Sequence, residues 1–345
     1  NRVSELNTLI QKYNSDKEFL SDGNIKTAIG SAEYDIIYDA DKILSGVISG
    51  DSVHIGKILN DKRLGTTSFN FDVVYNTIST QAIPSAKALG KIHHIAYNGY
   101  NYNNISIDAQ SYPTGMKGMV DIDDENLKSC ANITYIDAPH KDIQLDLSLN
   151  KIHFNNINLV KTDKEEELSL KAIAQLRGKD FKHLYGNIEF NDINLQTKEN
   201  NYSLKDIIIN AQKQENETSL YTINSEILTA SIEGQASLAD IVANFTNQLS
   251  HHLPILVKKQ NIPATDFTYE ITVKDAPVLH SLTDTKFALK KPVRMFGNLS
   301  SDNEQMSLNI DAPSVSYNEK DYDDIALVCN TTPDNMNVHA IASTY

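Results

Sequence analysis

Cysteine is nearly absent: Cys130 and Cys329 are the two in 345 residues, too few for a disulfide framework. They allow one bridge at most, and two buried thiols is the preferred reading. No run approaches the roughly 20 apolar residues of a membrane-spanning helix. Positive charge is in deficit, with 31 Lys and Arg against 45 Asp and Glu for a formal charge of −14. That balance, with no basic stripe to offset it, argues against nucleic acid or an anionic membrane surface as a partner. The richest basic stretch, KFALKKPVR at 286–294, reads as a solvated strand edge. A start Met and a signal sequence are also missing. The opening residues, NRVSELNTLIQKYN, read as the interior of a longer protein, so absent targeting signals say little about location.

Chemical motifs are scarce as well. No serine sits in a G-x-S-x-G elbow, no glycine-rich loop is placed to cradle phosphate, and neither cysteine has a C-x-x-C partner. The pairs His93–His94 and His251–His252 place neighbours on opposite strand faces or about 100° apart on a helix, so neither is a chelating face. The acidic cluster DIDDEN at 121–126 lacks the glycine and distal Glu of a calcium loop and reads as a solvated turn. Nothing selects a catalytic pair among the acids. The expectation is a protein that is not an enzyme, with no cofactor and no metal.

What the chain does have is alternation. Phe69, Phe71, Val73 and Tyr75 share one side of SFNFDVVY; Ile143, Leu145, Leu147 and Leu149 do so in IQLDLSLN; Phe267, Tyr269, Ile271 and Val273 in FTYEITV. Period two with one greasy and one wet face predicts antiparallel sheet, since buried parallel strands run continuously apolar. Hydrophobic residues at 40% and charged residues at 22% are enough for a core and argue against wholesale disorder. Helical spacing is confined to SLADIVANFTNQLSHHLP at 237–254, where Ser237 and Asp240 suit an N-terminal end and Pro254 a stop, to residues 3–14 near the start, and to a short helix near VHIGKIL at 53–59.

One pattern recurs: an aromatic residue, two Asn or Asp, Ile, any residue, then Ile or Leu. It appears as YNNISI at 102–107, FNNINL at 154–159, FNDINL at 190–195 and YDDIAL at 322–327, and more loosely as YSLKDIII at 202–209. The Asn/Asp pair tolerates left-handed backbone and is expected to close turns, while the aromatic packs across the strand pair. Repeated strand pairs without a fixed short period suggest an elongated sheet growing by accretion.

These residues resemble a known family. DSVHIGKILNDKRLGTTSFNFDVVY at 51–75 is similar to a segment of the Bacteroidetes-type TamB-like proteins, translocation and assembly module components of the AsmA-like superfamily, through Ile55, Gly56, Lys57, Ile58, Leu59, Leu64 and Gly65. The helix ending in Leu253–Pro254 and the unit PVRMFGNLSSDNEQMSLNIDAPSVSYNEKDYDDIALVC look like two further family elements. The resemblance implies an inner-membrane-anchored, periplasmic protein whose taco-like β-groove has an apolar interior. It also implies a BamA-type outer-membrane barrel partner and roles in phospholipid transfer and outer-membrane protein assembly. Both the anchor and the partner-binding region would lie outside this chain.

The fold expected is therefore all-β: an elongated, strongly curved, taco-like repeating groove over residues 31–345 with an inserted helix near 237–254, preceded by a helix or connecting segment over 1–30. Phospholipid or other acyl chains are the expected ligand. Phe69, Phe71, Ile105, Ile107, Leu145, Leu147, Phe267, Tyr269, Ile325 and Leu327 are the candidate groove lining, because burying a Leu or Phe is worth about 1.5–3 kcal/mol. Two alternatives stand beside it: a scaffold that binds outer-membrane β-strands by strand addition, and an extracellular β-solenoid that binds glycan through its Tyr-rich turns.

Overall fold

Alternation is carried through into strand after strand. The computed structural model describes residues 5–13, 19–76, 83–159, 166–181, 183–214, 218–235, 237, 240, 241, 243, 244, 264–275, 287–318 and 320–344. In these residues the fold is all-β and antiparallel, as the sequence predicts, and the sheet does not close on itself. Two compact units are present: residues 1–174 with 193–201, and residues 175–192 with 202–345.

The first unit is a meander. Its strands are β1 (Glu5–Tyr13), β2 (Phe19–Thr27), β3 (Gly30–Tyr38), β4 (Ile43–His54), β5 (Leu64–Asn76), β6 (Ala86–Tyr97), β7 (Tyr100–Tyr112), β8 (Gly115–Asp123), β9 (Leu127–Asp137) and β10 (Lys141–His153), each paired antiparallel with the next. The helix expected over residues 3–14 is corrected to β1 over Glu5–Tyr13: Leu6 pairs with Ile25, Leu9 with Asp22 and Ile10 with Ser21 along the ladder to β2. The three-and-four spacing was too short a run to separate helix from strand, and pairing with β2 decides it. The short helix expected near 53–59 is present as α1 (Ile55–Leu59), capped by left-handed Asn60. Gly56 is required there, because a Cβ would stand 1.9 Å from the Leu64 carbonyl oxygen.

Next come β11 (Glu166–Gly178), β12 (Leu184–Thr197) and β13 (Asn201–Lys213), and the division between the units falls among their residues. The second unit continues with β14 (Ser219–Ser225), β15 (Leu228–Gly234), β16 (Asp266–Val273), β17 (Phe287–Leu289), β18 (Val293–Ser300), β19 (Gln305–Tyr317), β20 (Lys320–Thr331) and β21 (Met336–Thr344). From β13 to β16 the order follows the chain; β16 then pairs with β18, and β17 lies on β19.

Most of the helix expected at 237–254 lies outside the described residues, but its start is visible. Residues 240, 241, 243 and 244 are helical. The Asp240 N–H donates to Ser237 Oγ at 3.2 Å, the Ser237 hydroxyl donates to Asp240 Oδ2 at 2.6 Å, and the Ile241 N–H reaches the Ser237 carbonyl at 3.0 Å. The Ser237 hydroxyl oxygen thus caps one of the backbone donors that a helix start leaves open. Ile241 is buried with Tyr221, Phe267, Tyr269, Leu299, Met306 and Cys329 as the core of the unit. Both cysteines are free thiols, Cys329 buried and Cys130 half-buried.

In three copies the recurrent aromatic–Asn/Asp pattern places a left-handed residue inside a strand, whereas the copy at 154–159 forms a turn. Asn104 (φ 54°), Asp192 (φ 53°) and Asp324 (φ 50°) are left-handed and sit inside β7, β12 and β20. At Asp324 the β20–β21 register shifts between Asp323 and Ala326, while β19–β20 pairing keeps one register across the same residues. The tight turn of the β6–β7 hairpin is instead Asn98–Gly99, both with positive φ, the chemistry of a two-residue hairpin loop.

Candidate functional site

Cross-strand partners in an antiparallel sheet lie on the same face, so the register sorts the first unit into two surfaces. One row runs Tyr34, Ile48, Phe71, Gly90, Ile107, Val120, Ala131, Leu147 from β3 to β10. The row on one side is Ala32, Gly50, Phe69, Ile92, Ile105, Ile122, Ser129, Leu149; on the other side it is Ile36, Gly46, Val73, Ala88, Ala109, Gly118, Ile133, Leu145. A fourth row, Tyr38, Leu44, Tyr75, Ala86, Ser111, Met116, Tyr135, Ile143, ends the face in three tyrosines. All six residues singled out in this unit, Phe69, Phe71, Ile105, Ile107, Leu145 and Leu147, therefore share one apolar face in three adjacent rows.

The reverse face is mostly polar, with Val47, Leu89 and Met119 exposed on it among Asp35, Asp72, Asp108 and Asn132. Its row Glu33, Ser49, Asn70, Lys91, Ser106, Asp121, Cys130, Ser148 lies between the same strands. On the apolar face Ile105 is buried, while Phe69, Phe71, Ile107, Leu145 and Leu147 are only half-buried. Strand packing in this unit runs between neighbours of the meander among the described residues. Small side chains are grouped on it: Ala86, Ala88 and Gly90 on β6, Ala109 on β7 and Gly118 on β8. By side-chain size they mark the low part of the face, a furrow between the bulkier Phe71, Val73 and Tyr75 of β5 and Ile133 and Leu145 of β9 and β10. At Gly90 a Cβ would stand 2.1 Å from the Asn70 carbonyl oxygen, whereas at Gly118 the nearest atom would be 3.3 Å away.

One end of the face is capped. Residues 154–159, one copy of the recurrent pattern, form a turn after β10 instead of a strand. Ile157 there is fully buried. Asn98 and Asn158 each donate a side-chain N–H to the other's backbone carbonyl, at 2.9 and 3.1 Å, and the Asn156 amide donates to Asn126 Oδ1 at 2.7 Å. Beneath this cap lies Asp124, 1% exposed; the reading of 121–126 as solvated holds for Asp121, Asp123 and Glu125, which are exposed, and is corrected at Asp124 alone. Its carboxylate accepts the Tyr100 hydroxyl, the Asn103 N–H at 2.9 Å, the Asn103 amide at 3.0 Å and the Asn126 N–H at 2.9 Å. Burial pushes its pKa up, but the hydrogen bonds from Tyr100, Asn126 and Asn103 outweigh it and hold it below the ordinary aspartate value. Sequence reading missed this residue because Tyr100 and Asn103 reach it from another hairpin. Among the described residues no group of three acids, histidines or cysteines is placed to hold a metal.

The four remaining candidates lie in the second unit. Phe267 and Tyr269 are packed in the core with Ile241, so there the sheet face is occupied by the chain's own side chain. Burial pushes the Tyr269 phenol up to about 12, and its hydroxyl donates to the Ser307 carbonyl at 2.9 Å. Leu327 packs at the margin of that core, and Ile325 against a second cluster of Leu289, Ala312 and Val315. The structure thus brings six candidates onto one face and puts two of the other four under a helical turn. Comparison with protein-family models, with curated proteins and with solved structures finds no match to this chain.

Proposed function

We propose that the first unit holds lipid acyl chains on its apolar face. On this reading the chain is a non-enzymatic segment of a TamB-like periplasmic conduit that shields phospholipid tails on the way from inner to outer membrane and supports outer-membrane protein assembly. The inner-membrane anchor and the contact with a BamA-type barrel would belong to other parts of the parent protein. The observation that carries the proposal is the set of four apolar rows crossing eight strands, half-buried and backed by a mostly polar face. The three tyrosines of the fourth row, Tyr38, Tyr75 and Tyr135, suit such a ligand, since a phenol has an apolar ring and a polar tip.

The test is mass spectrometry of lipid that co-purifies with the protein, repeated on Leu147→Asp. Leu147 is half-buried between Ala131 and the row beyond, so its carboxylate replacement keeps access to water and costs about 1–2 kcal/mol of stability. A charge on the face repels acyl chains, so bound lipid falls while the fold remains. Unchanged lipid content in a folded Leu147→Asp variant sinks the proposal.

A further inference from the structure

The second unit contains a cavity of about 270 Å³ beside the start of the helical turn. Its walls are Leu176 of β11, Leu184 and Ile188 of β12, and Ile209 of β13, with Tyr221 at the side nearest the core. Gly186 contributes no side chain and can accept none: φ is +135°, and a Cβ would stand 1.9 Å from the Gln175 carbonyl oxygen. At the rim Phe181 is 63% exposed, an apolar ring that extends the lining outward.

Charge decides what fits. Among the described residues that line the cavity, Asp240 is the one carboxylate and already accepts the Ser237 hydroxyl, and none is Lys, Arg or His. A phosphate or carboxylate head would meet a like charge and no cation, so an anionic group is excluded from the interior. An unbranched hydrocarbon requires no polar partner and gains from each methylene removed from water. We propose that this cavity takes the tail end of a single lipid acyl chain, entering methyl-first past Phe181 with the head group left outside. The proposal rests on the lipid-holding reading above and adds to it a second acyl site, within the second unit.

The experiment uses phosphatidylcholine carrying a diazirine near the methyl end of one acyl chain, photolysed on the full chain, with cross-linked peptides mapped by mass spectrometry. Ile188→Trp fills the cavity from its wall, and Phe181→Ala, on the exposed rim, is the variant that leaves the core untouched. Cross-links to the peptides of Leu184, Ile188 and Ile209 are expected, reduced roughly tenfold or more in Ile188→Trp and several-fold in Phe181→Ala. Cross-links confined to β3–β10 overturn the cavity while leaving the lipid-holding reading in place. Absence of bound lipid anywhere overturns both.

Discussion

Filling the furrow of the first unit without disturbing its backbone separates lipid binding from folding, and Gly118→Leu does this. Gly118 lies on β8 in the apolar row between Ala109 and Ile133. A Cβ there would meet the Asp108 carbonyl oxygen at 3.3 Å and the Ala109 Cβ at 3.5 Å, so the neighbours give by a few tenths of an ångström at most. Gly90 on β6, with 2.1 Å to the Asn70 carbonyl oxygen, is the position to avoid. Replacing a strand glycine restricts the unfolded chain and stabilises by about 0.4–1 kcal/mol, which offsets the tight contact and leaves the midpoint of thermal unfolding little changed. The new side chain occupies the space of about three or four methylenes. At about 0.8 kcal/mol each this removes roughly 2.5–3 kcal/mol of acyl burial, about a hundredfold in affinity. The assay is displacement of a fluorescent acyl probe from purified protein, read beside circular dichroism. Equal affinity in a Gly118→Leu protein that melts like the parent refutes the placement of acyl chains in the furrow.

Two further outcomes test the packing that frames this face. Asp124→Asn keeps the shape of the buried side chain but points an amide toward donors on Asn103 and Asn126, so it destabilises the first unit by about 2–3 kcal/mol in chemical denaturation. Because the folded pKa of Asp124 is depressed, its contribution is fully present above the ordinary aspartate value near 3.9 and is lost as pH falls through the lower folded value; Asp124→Asn flattens that acid limb. Tyr269 titrates the other way. With the folded pKa raised from 10.0 to about 12, the neutral phenol contributes about 3 kcal/mol that is present below pH 10 and drains away as pH rises toward 12. An alkaline unfolding scan of the second unit shows this loss in the parent and not in Tyr269→Phe; identical scans would show that Tyr269 does not limit alkaline stability.

Strand identity and facing were legible because period-two alternation is a local property. Phe69 and Phe71, or Leu145 and Leu147, announce their common side within four residues, and the ladders only bring these sides together. Residues 5–13 were not legible for the converse reason. Leu6, Leu9 and Ile10 fit a helix as well as a strand, and the ladder to β2 that decides between them is absent from the window. Asp124 illustrates the same limit at a polar site. An acidic turn is normally solvated, and only the arrival of Tyr100 and Asn103 from 24 and 21 residues away makes this one the buried anchor of three segments. The burial of Phe267 and Tyr269 was hidden because their own strand alternates as cleanly as β5 does. What differs is the helical turn carrying Ile241, supplied by a separate part of the chain.

The recurrent pattern gains its meaning from a conflict between spacing and facing. Tyr102 and Ile105 are three residues apart, and an unbroken strand would send them to opposite sides. Yet Ile105 pairs with Ile92 and, through it, with Phe69, while Tyr102 pairs with Ile95 and, through it, with Thr67, two residues from Phe69 on β5. Both therefore belong to the apolar face. The left-handed Asn104 absorbs the surplus residue on β7, and the register shift at His93 absorbs it on β6. Asn and Asp are the residues that accept αL backbone at least cost after glycine, and unlike glycine they bring a side chain to the rim: the Asn104 amide donates to the Asp123 carbonyl. The same spacing with a left-handed second Asp recurs at Phe190–Ile193 and Tyr322–Ile325. A bulge also bends its strand and increases local twist. Where it falls inside a strand, the pattern thus lets that strand bend while keeping aromatic and aliphatic residues on one side.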